Sequence, residues 1–183
     1  MITLGNLTGA AGQQNDQVQL GDGNNTVTAG NGNDDIQVGN GNDDIQLGVG
    51  NNTVAAGNGN DNIQVGNGNN IVVEGNGKDQ VQAGNGDNLI VGGLGPHTIT
   101  VGNGTNILID GSATVNNSGD SFRQILDAWV ANPTASNQAA IRSRFTVNDN
   151  TKYANTLTVG SGIDWFFYQP PTTSNKKSTD FLN

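Results

Sequence analysis

Hydrophobic residues recur through the first two-thirds of the chain in a nine-residue rhythm. From Ala11 to Ser118 the sequence divides without a gap into twelve nonapeptides, opening with AGQQNDQVQ, LGDGNNTVT, AGNGNDDIQ and VGNGNDDIQ. Position 8 is Val, Ile or Leu in eleven of the twelve, and position 2 is Gly in all of them. Position 4 is Gly in ten, failing at Gln14 and Ala113. An aliphatic at position 8, polar residues on either side, and an aliphatic again at the next position 1 make a period-two alternation. That is the pattern of a strand with one buried face. The Gly-x-Gly that follows cuts each strand short and leaves the remaining residues to a turn.

Such short units bury nothing alone and must stack. Two nonapeptides close one coil of about eighteen residues, and coils stack about 4.8 Å apart. The expected fold is all-β, a right-handed parallel β-roll with two nonapeptides per coil. Its thin core comes from position 8 and the next position 1, in pairs such as Val18/Leu20, Ile36/Val38, Ile45/Leu47, Ile63/Val65 and Ile99/Val101.

The outward positions 7 and 9 separate the two faces. One face stays polar, through Thr26/Thr28, Asp44/Gln46, Asn62/Gln64, Gln80/Gln82 and Thr98/Thr100. The other turns apolar at Ile71/Val73, Leu89/Val91 and Ile107/Ile109. An apolar patch of that size on a solvent face is an aggregation hazard, so the C-terminal region is expected to cover it. Glu74 and Asp110 occupy position 1 near this patch. They are expected either to pair with Arg123, Arg142 or Arg144 or to reach solvent.

Beyond the repeats, Asp120-Ser121 reads as a helix N-cap. Phe122, Ile125, Leu126 and Trp129 follow at helical spacing, and Asn132-Pro133 ends the run. A second helix is expected from Ala135 to Phe145. The repeat then returns: Thr156-Leu157-Thr158-Val159-Gly160-Ser161-Gly162 parallels Thr98-Ile99-Thr100-Val101-Gly102-Asn103-Gly104. That register puts Asp164 at position 6, and Trp165, Phe166 and Phe167 read as cap core. The expected organisation is a roll over 1–118, a helical cap insertion over 119–155, and a returning final coil with a C-terminal tail over 156–183.

Composition sharpens this picture. Gly reaches 28 residues and Pro only 4, which suits ordered turns better than a flexible linker. Residues 1–118 hold eleven acids and one base, Lys78, whereas 119–183 hold five acids and six bases. An acidic roll repels nucleic acid and attracts cations. Cysteine is absent, so disulfides and thiolate metal sites are excluded. No apolar run approaches the ~20 residues of a membrane-spanning helix. The N-terminus has neither the basic nor the apolar part of a cleavable signal; the chain can equally be the C-terminal part of something longer.

The tandem Gly-x-Gly-x-Asp turns resemble the RTX nonapeptide repeats of secreted bacterial toxins, proteases, lipases and epimerases, whose pattern is G-G-x-G-x-D-x-U-x. Aliphatics replace the family's first Gly at Leu20, Val38, Leu47, Val65 and Val101, as in repeats of large bacterial adhesins. The resemblance implies calcium held between stacked turns by the Asp at position 6 and by backbone carbonyls. Calcium takes six to eight oxygens, and Gly-rich turns expose carbonyls readily.

Each turn stacks on the turn two repeats away. One column reads Asp16, Asp34, Asn52, Asn70, Asn88 and Asn106, and the other Asn25, Asp43, Asp61, Asp79 and His97. The implied metal residues are therefore Asp16, Asp34, Asp43, Asp61, Asp79 and Asp164, with the carbonyls of Gly39, Gly41, Gly57, Gly59, Gly75 and Gly77. The run of Asn is expected to form a stacked amide ladder.

No catalytic constellation can be written around the one histidine, His97, so a non-enzymatic chain is expected. The leading expectation is a secreted, extracellular, monomeric calcium-binding module that folds on calcium. The alternative is recognition of ice or a polysaccharide by the outward Asn rows at positions 3 and 5. A third is an accessory module of an epimerase or lipase. The tail Ser178-Thr179-Asp180-Phe181-Leu182-Asn183 resembles an uncleaved type I secretion signal, the export route that the family implies.

Overall fold

A computed structural model describes residues 2–3, 15–149, 152–168, 172–174, 176 and 181–182. The repeats form a parallel β-solenoid. One eight-stranded sheet runs Ile2–Thr3, Thr26–Thr28, Asp44–Leu47, Asn62–Val65, Asp79–Ala83, His97–Val101, Thr156–Thr158 and Thr173–Ser174. The second, also of eight strands, stacks Gln17–Gln19, Asp35–Gln37, Thr53–Gly57, Ile71–Glu74, Leu89–Val91, Ile107–Ile109, Trp165–Phe167 and Phe181–Leu182. Partners lie one coil apart, as in Val27 beside Ile45 and Ile36 beside Val54. Every position-8 residue of these coils points inward; Val27, Ile36, Ile45, Val54, Ile63, Val72, Val81, Ile90, Ile99 and Leu108 are all 0% exposed. Burying each aliphatic contributes roughly 1.5–3 kcal/mol.

The twelfth nonapeptide does not coil. Gly111–Val115 leaves the roll and pairs antiparallel with Phe145–Asp149. The reason lies at position 4. At Gly59, φ is +152°, and an added Cβ would lie 1.6 Å from the carbonyl oxygen of Gly41 in the coil below. Ala113 brings such a Cβ to position 4, and Asn117 gives the twelfth unit no aliphatic at position 8. The sixth coil is completed instead by the returning strand, with Thr98 beside Thr156 and Ile99 beside Leu157.

The excursion carries two helices, α1 (Phe122–Ala131) and α2 (Ala135–Arg142). Ser121 caps α1, its side chain accepting from Gln124 N, and Thr134 caps α2 in the same way from Asn137 N. Helix α2 stops before Phe145, which the structure places in a strand. The buried face of α1 (Ile125, Leu126 and Trp129) joins Ile141 and Phe145 over Ile71, Leu89, Val91, Ile107 and Ile109. The apolar patch is thereby covered. Trp165 and Phe167 enter this second core, whereas Phe166 faces the core of the roll. Of the terminal segment 178–183, only the strand Phe181–Leu182 is among the described residues.

Candidate cation sites in the turns

Position 6 closes each turn and begins the next strand, so its side chain lies against the turn rather than in solvent. Asp34, Asp43, Asp61, Asp79, Asn52, Asn70, Asn88 and Asn106 are all buried. Each links two coils by the same bond, the position-6 N–H donating to the position-6 Oδ1 of the following coil. On one side the chain of bonds runs Asp16 N to Asp34 Oδ1 (2.9 Å), Asp34 N to Asn52 Oδ1 (3.0 Å), and on through Asn70, Asn88 and Asn106 to Asp164 Oδ1. On the other it runs Asn25 N to Asp43 Oδ1, Asp43 N to Asp61 Oδ1 (2.8 Å) and Asp61 N to Asp79 Oδ1 (2.9 Å). It is interrupted at His97, where Asp79 N donates to Pro96 O instead, and resumes with His97 N donating to Asn155 Oδ1.

The Asn turns show what the second side-chain atom meets. Asn70 Nδ2 donates to Gly66 O (3.1 Å), Gly68 O (3.0 Å) and Asn88 Oδ1 (2.9 Å). Asn52, Asn88 and Asn25 repeat the arrangement with the carbonyls at positions 2 and 4 of their own turns. The amide nitrogen thus sits in a nest of three oxygens. An Asp held by the same Oδ1 bond puts Oδ2 where Nδ2 stands, an oxygen facing oxygens. The Oδ2 atoms of Asp34, Asp43, Asp61 and Asp79 are buried without a hydrogen-bond donor. A buried acceptor left so costs about 1–3 kcal/mol, more when charged.

Electrostatics agrees. Burial raises Asp61 to about 7, the Asp79 and Asp43 charges adding to the rise and the bond from Asp43 N opposing it. Burial raises Asp79 to about 6, against the bond from Asp61 N and the influence of His97. Asp34 is also raised by burial. A cation among these oxygens would offset that rise by favouring the ionised carboxylates. The residues therefore fit calcium: two carboxylates from adjacent turns, and carbonyls at positions 2 and 4 from Gly39, Gly41, Gly57, Gly59, Gly75 and Gly77. Among the described residues no three His, Cys, Asp or Glu side chains converge on one point, so the main chain must supply most of the oxygens.

Comparison with known families identifies the repeat. The RTX calcium-binding nonapeptide repeat matches residues 10–45, 37–72, 48–81, 65–96 and 74–108, together more than half of the chain. The chain belongs to this RTX repeat family. It is a calcium-binding structural fold in its repeat region. Neither a curated protein nor a solved structure matches the chain.

Within this RTX roll the implied ligands fall into two groups. Asp43, Asp61 and Asp79 stack directly, with Asp16 and Asp34 at the start of the other column. Asp164 stands apart from them at the far end of that second column, its Oδ1 accepting from Asn106 N and Nδ2 (2.8 Å).

The outward Asn rows are also occupied. Asn31, Asn33, Asn51, Asn58, Asn67, Asn85 and Asn103 each use Oδ1 to accept a backbone N–H from the neighbouring coil.

The two position-1 acids are not paired with arginine. Arg144 pairs with Asp120, Arg123 donates to Asn69 O and Asn52 O, and Arg142 donates to Phe145 O. Asp110 is buried against His97, with Nε2 at 3.2 Å but outside hydrogen-bond alignment. It also accepts from Asn155 Nδ2 (2.8 Å) and from the Thr172 hydroxyl. His97 therefore turns its ring inward over Gly92, where a Cβ would lie 2.6 Å from Nε2. Glu74 is buried, and neither of its oxygens has a partner.

Proposed function

We propose that this protein is an exported, non-enzymatic calcium module whose roll is completed by calcium outside the cell, either alone or as the C-terminal part of a larger surface protein. One observation carries the reading. Stacked position-6 carboxylates keep donorless, buried Oδ2 atoms, while the Asn at equivalent positions satisfy the same nest with their own amides. The Asp turns call for a cation that the Asn turns do not.

Extracellular calcium modules bind at roughly 10⁻⁴–10⁻³ M. A roll of that class stays empty where calcium is scarce and fills where it is plentiful, which suits folding after export. At tenfold excess over Kd each site adds about 1.4 kcal/mol. Several sites then make up a large share of a typical folding free energy. Circular dichroism melts with excess chelator and with about 5 mM calcium chloride, above that Kd range, test the reading. A melting temperature raised by many degrees supports it. Equal melts would leave the Asn ladder and cap as the whole source of stability and make the chain a static scaffold.

A further inference from the structure

The repeat places an aliphatic or small residue at position 1, and on the side of the Asp43–Asp61–Asp79 column those residues are Val38, Ala56, Glu74 and Gly92. Glu74 is the exception. It ends the strand Ile71–Glu74, it is 5% exposed, and both carboxylate oxygens lack a hydrogen-bond partner. Its neighbours in the column are Ala56 and Gly92, the two smallest side chains available, and the His97 ring lies over Gly92. The main chain adapts around it as well: the ladder shifts register between Ala55 and Gly57, pairing Gly57 with Glu74. The charges that act on Glu74 are those of Asp79 and Asp61. An unpaired buried carboxylate beside two others is costly, and nothing else among the described residues compensates for it.

We infer that Glu74 is a third carboxylate of the cation site between the turns of Asp61 and Asp79, drawn in when the cation binds. The inference rests on the calcium reading above and deepens it. It makes one site unlike the others. The Asp43–Asp61 and Asp16–Asp34 pairs have two carboxylates, with Ala56 and Ala29 at position 1 of the Asp61 and Asp34 turns, whereas the Asp61–Asp79 pair has a third carboxylate behind it. Calcium affinity rises with the number of ligand charges, so this site fills first.

The test compares the full chain with Glu74→Gln and Glu74→Val. Calcium chloride titration by calorimetry reads the sites, and thermal unfolding in chelator and in calcium reads their coupling to the fold. Both variants should lose the tightest class of site, with its Kd weakened at least tenfold. Both should melt above the wild type in chelator, because a buried carboxyl with no hydrogen-bond partner has been removed. That order should narrow or reverse as calcium is added. Variants that titrate like the wild type, or that are more stable by the same margin at every calcium concentration, would overturn the inference and leave Glu74 a buried burden only. A wild type that takes up no calcium would instead sink the underlying reading.

Discussion

Asn70 Nδ2 stands 2.9 Å from Asn88 Oδ1 in the next coil, with two carbonyls of its own turn completing its surroundings. In the neighbouring column the Oδ2 atoms of Asp43, Asp61 and Asp79 have no such donor. Asn and Asp turns thus meet one problem, a nest of oxygens, with two different side chains.

Exchanging the two solutions should exchange their consequences. Asp61→Asn places an amide donor among carbonyls, and by the hydrogen-bond balance it should stabilise the calcium-free protein by about 1–3 kcal/mol. The same change should reduce calcium uptake, since Asp61 serves the turns on both sides. Asn70→Asp should destabilise the calcium-free protein by a similar amount. Urea unfolding in chelator, with calorimetric calcium titration of each variant, measures both.

Acidity should act oppositely with and without calcium. Asp61 and Asp79 have folded values of about 7 and about 6, against an ordinary 3.8. The folded state therefore holds their protons more tightly than the unfolded chain does. That contribution to stability is complete below about pH 4 and is lost as pH rises through 6 and 7. Calcium-free protein should melt higher at pH 5 than at pH 8. Calcium binding needs the carboxylates ionised, so its affinity should fall over the same interval as pH is lowered. A calcium-free melt that rises from pH 5 to pH 8 would contradict the assignment.

The cap should be needed for solubility as much as for stability. Trp129 is fully buried, 5.1 Å from the Trp165 ring, over the patch of Ile71, Leu89 and Ile107. Trp129→Ala should cost about 3–5 kcal/mol and loosen the cover. Chemical unfolding gives the first quantity, and light scattering on warming should show earlier association than in the wild type.

Close stacking of turns should make position 4 intolerant. Gly59→Ala sets a Cβ against Gly41 O at a left-handed φ, and strain and overpacking together should cost about 2–6 kcal/mol. An exposed change such as Gln64→Ala on the polar face should stay within about 0.5 kcal/mol. Melting of the two variants side by side in calcium tests the contrast.

Much of this molecule could be read from its repeat. The two position-6 columns, the inward rows from Val27 to Leu108, the covered patch and the return at Thr156 all follow from the eighteen-residue translation between coils. A solenoid makes spatial neighbours of residues at a constant separation, so periodicity alone places them.

What periodicity cannot place is whatever breaks it. Ala113 sends the twelfth unit out of the roll, because the clash that excludes it comes from a carbonyl in another coil. Glu74 and Asp110 look like surface acids that long arginine side chains could reach, yet packing buries both. Asp110 found His97, Asn155 and Thr172 across 13 to 62 residues of chain, and Glu74 found no partner. The sequence by itself determined the roll, its family and which turns carry Asp or Asn at position 6; only the tertiary structure decided that an Asn amide meets three oxygens there while the Oδ2 atoms of Asp34, Asp43, Asp61 and Asp79 meet no donor. Spacing sets which residues meet, but whether a buried oxygen has a donor depends on the three-dimensional orientation of atoms that spacing does not specify.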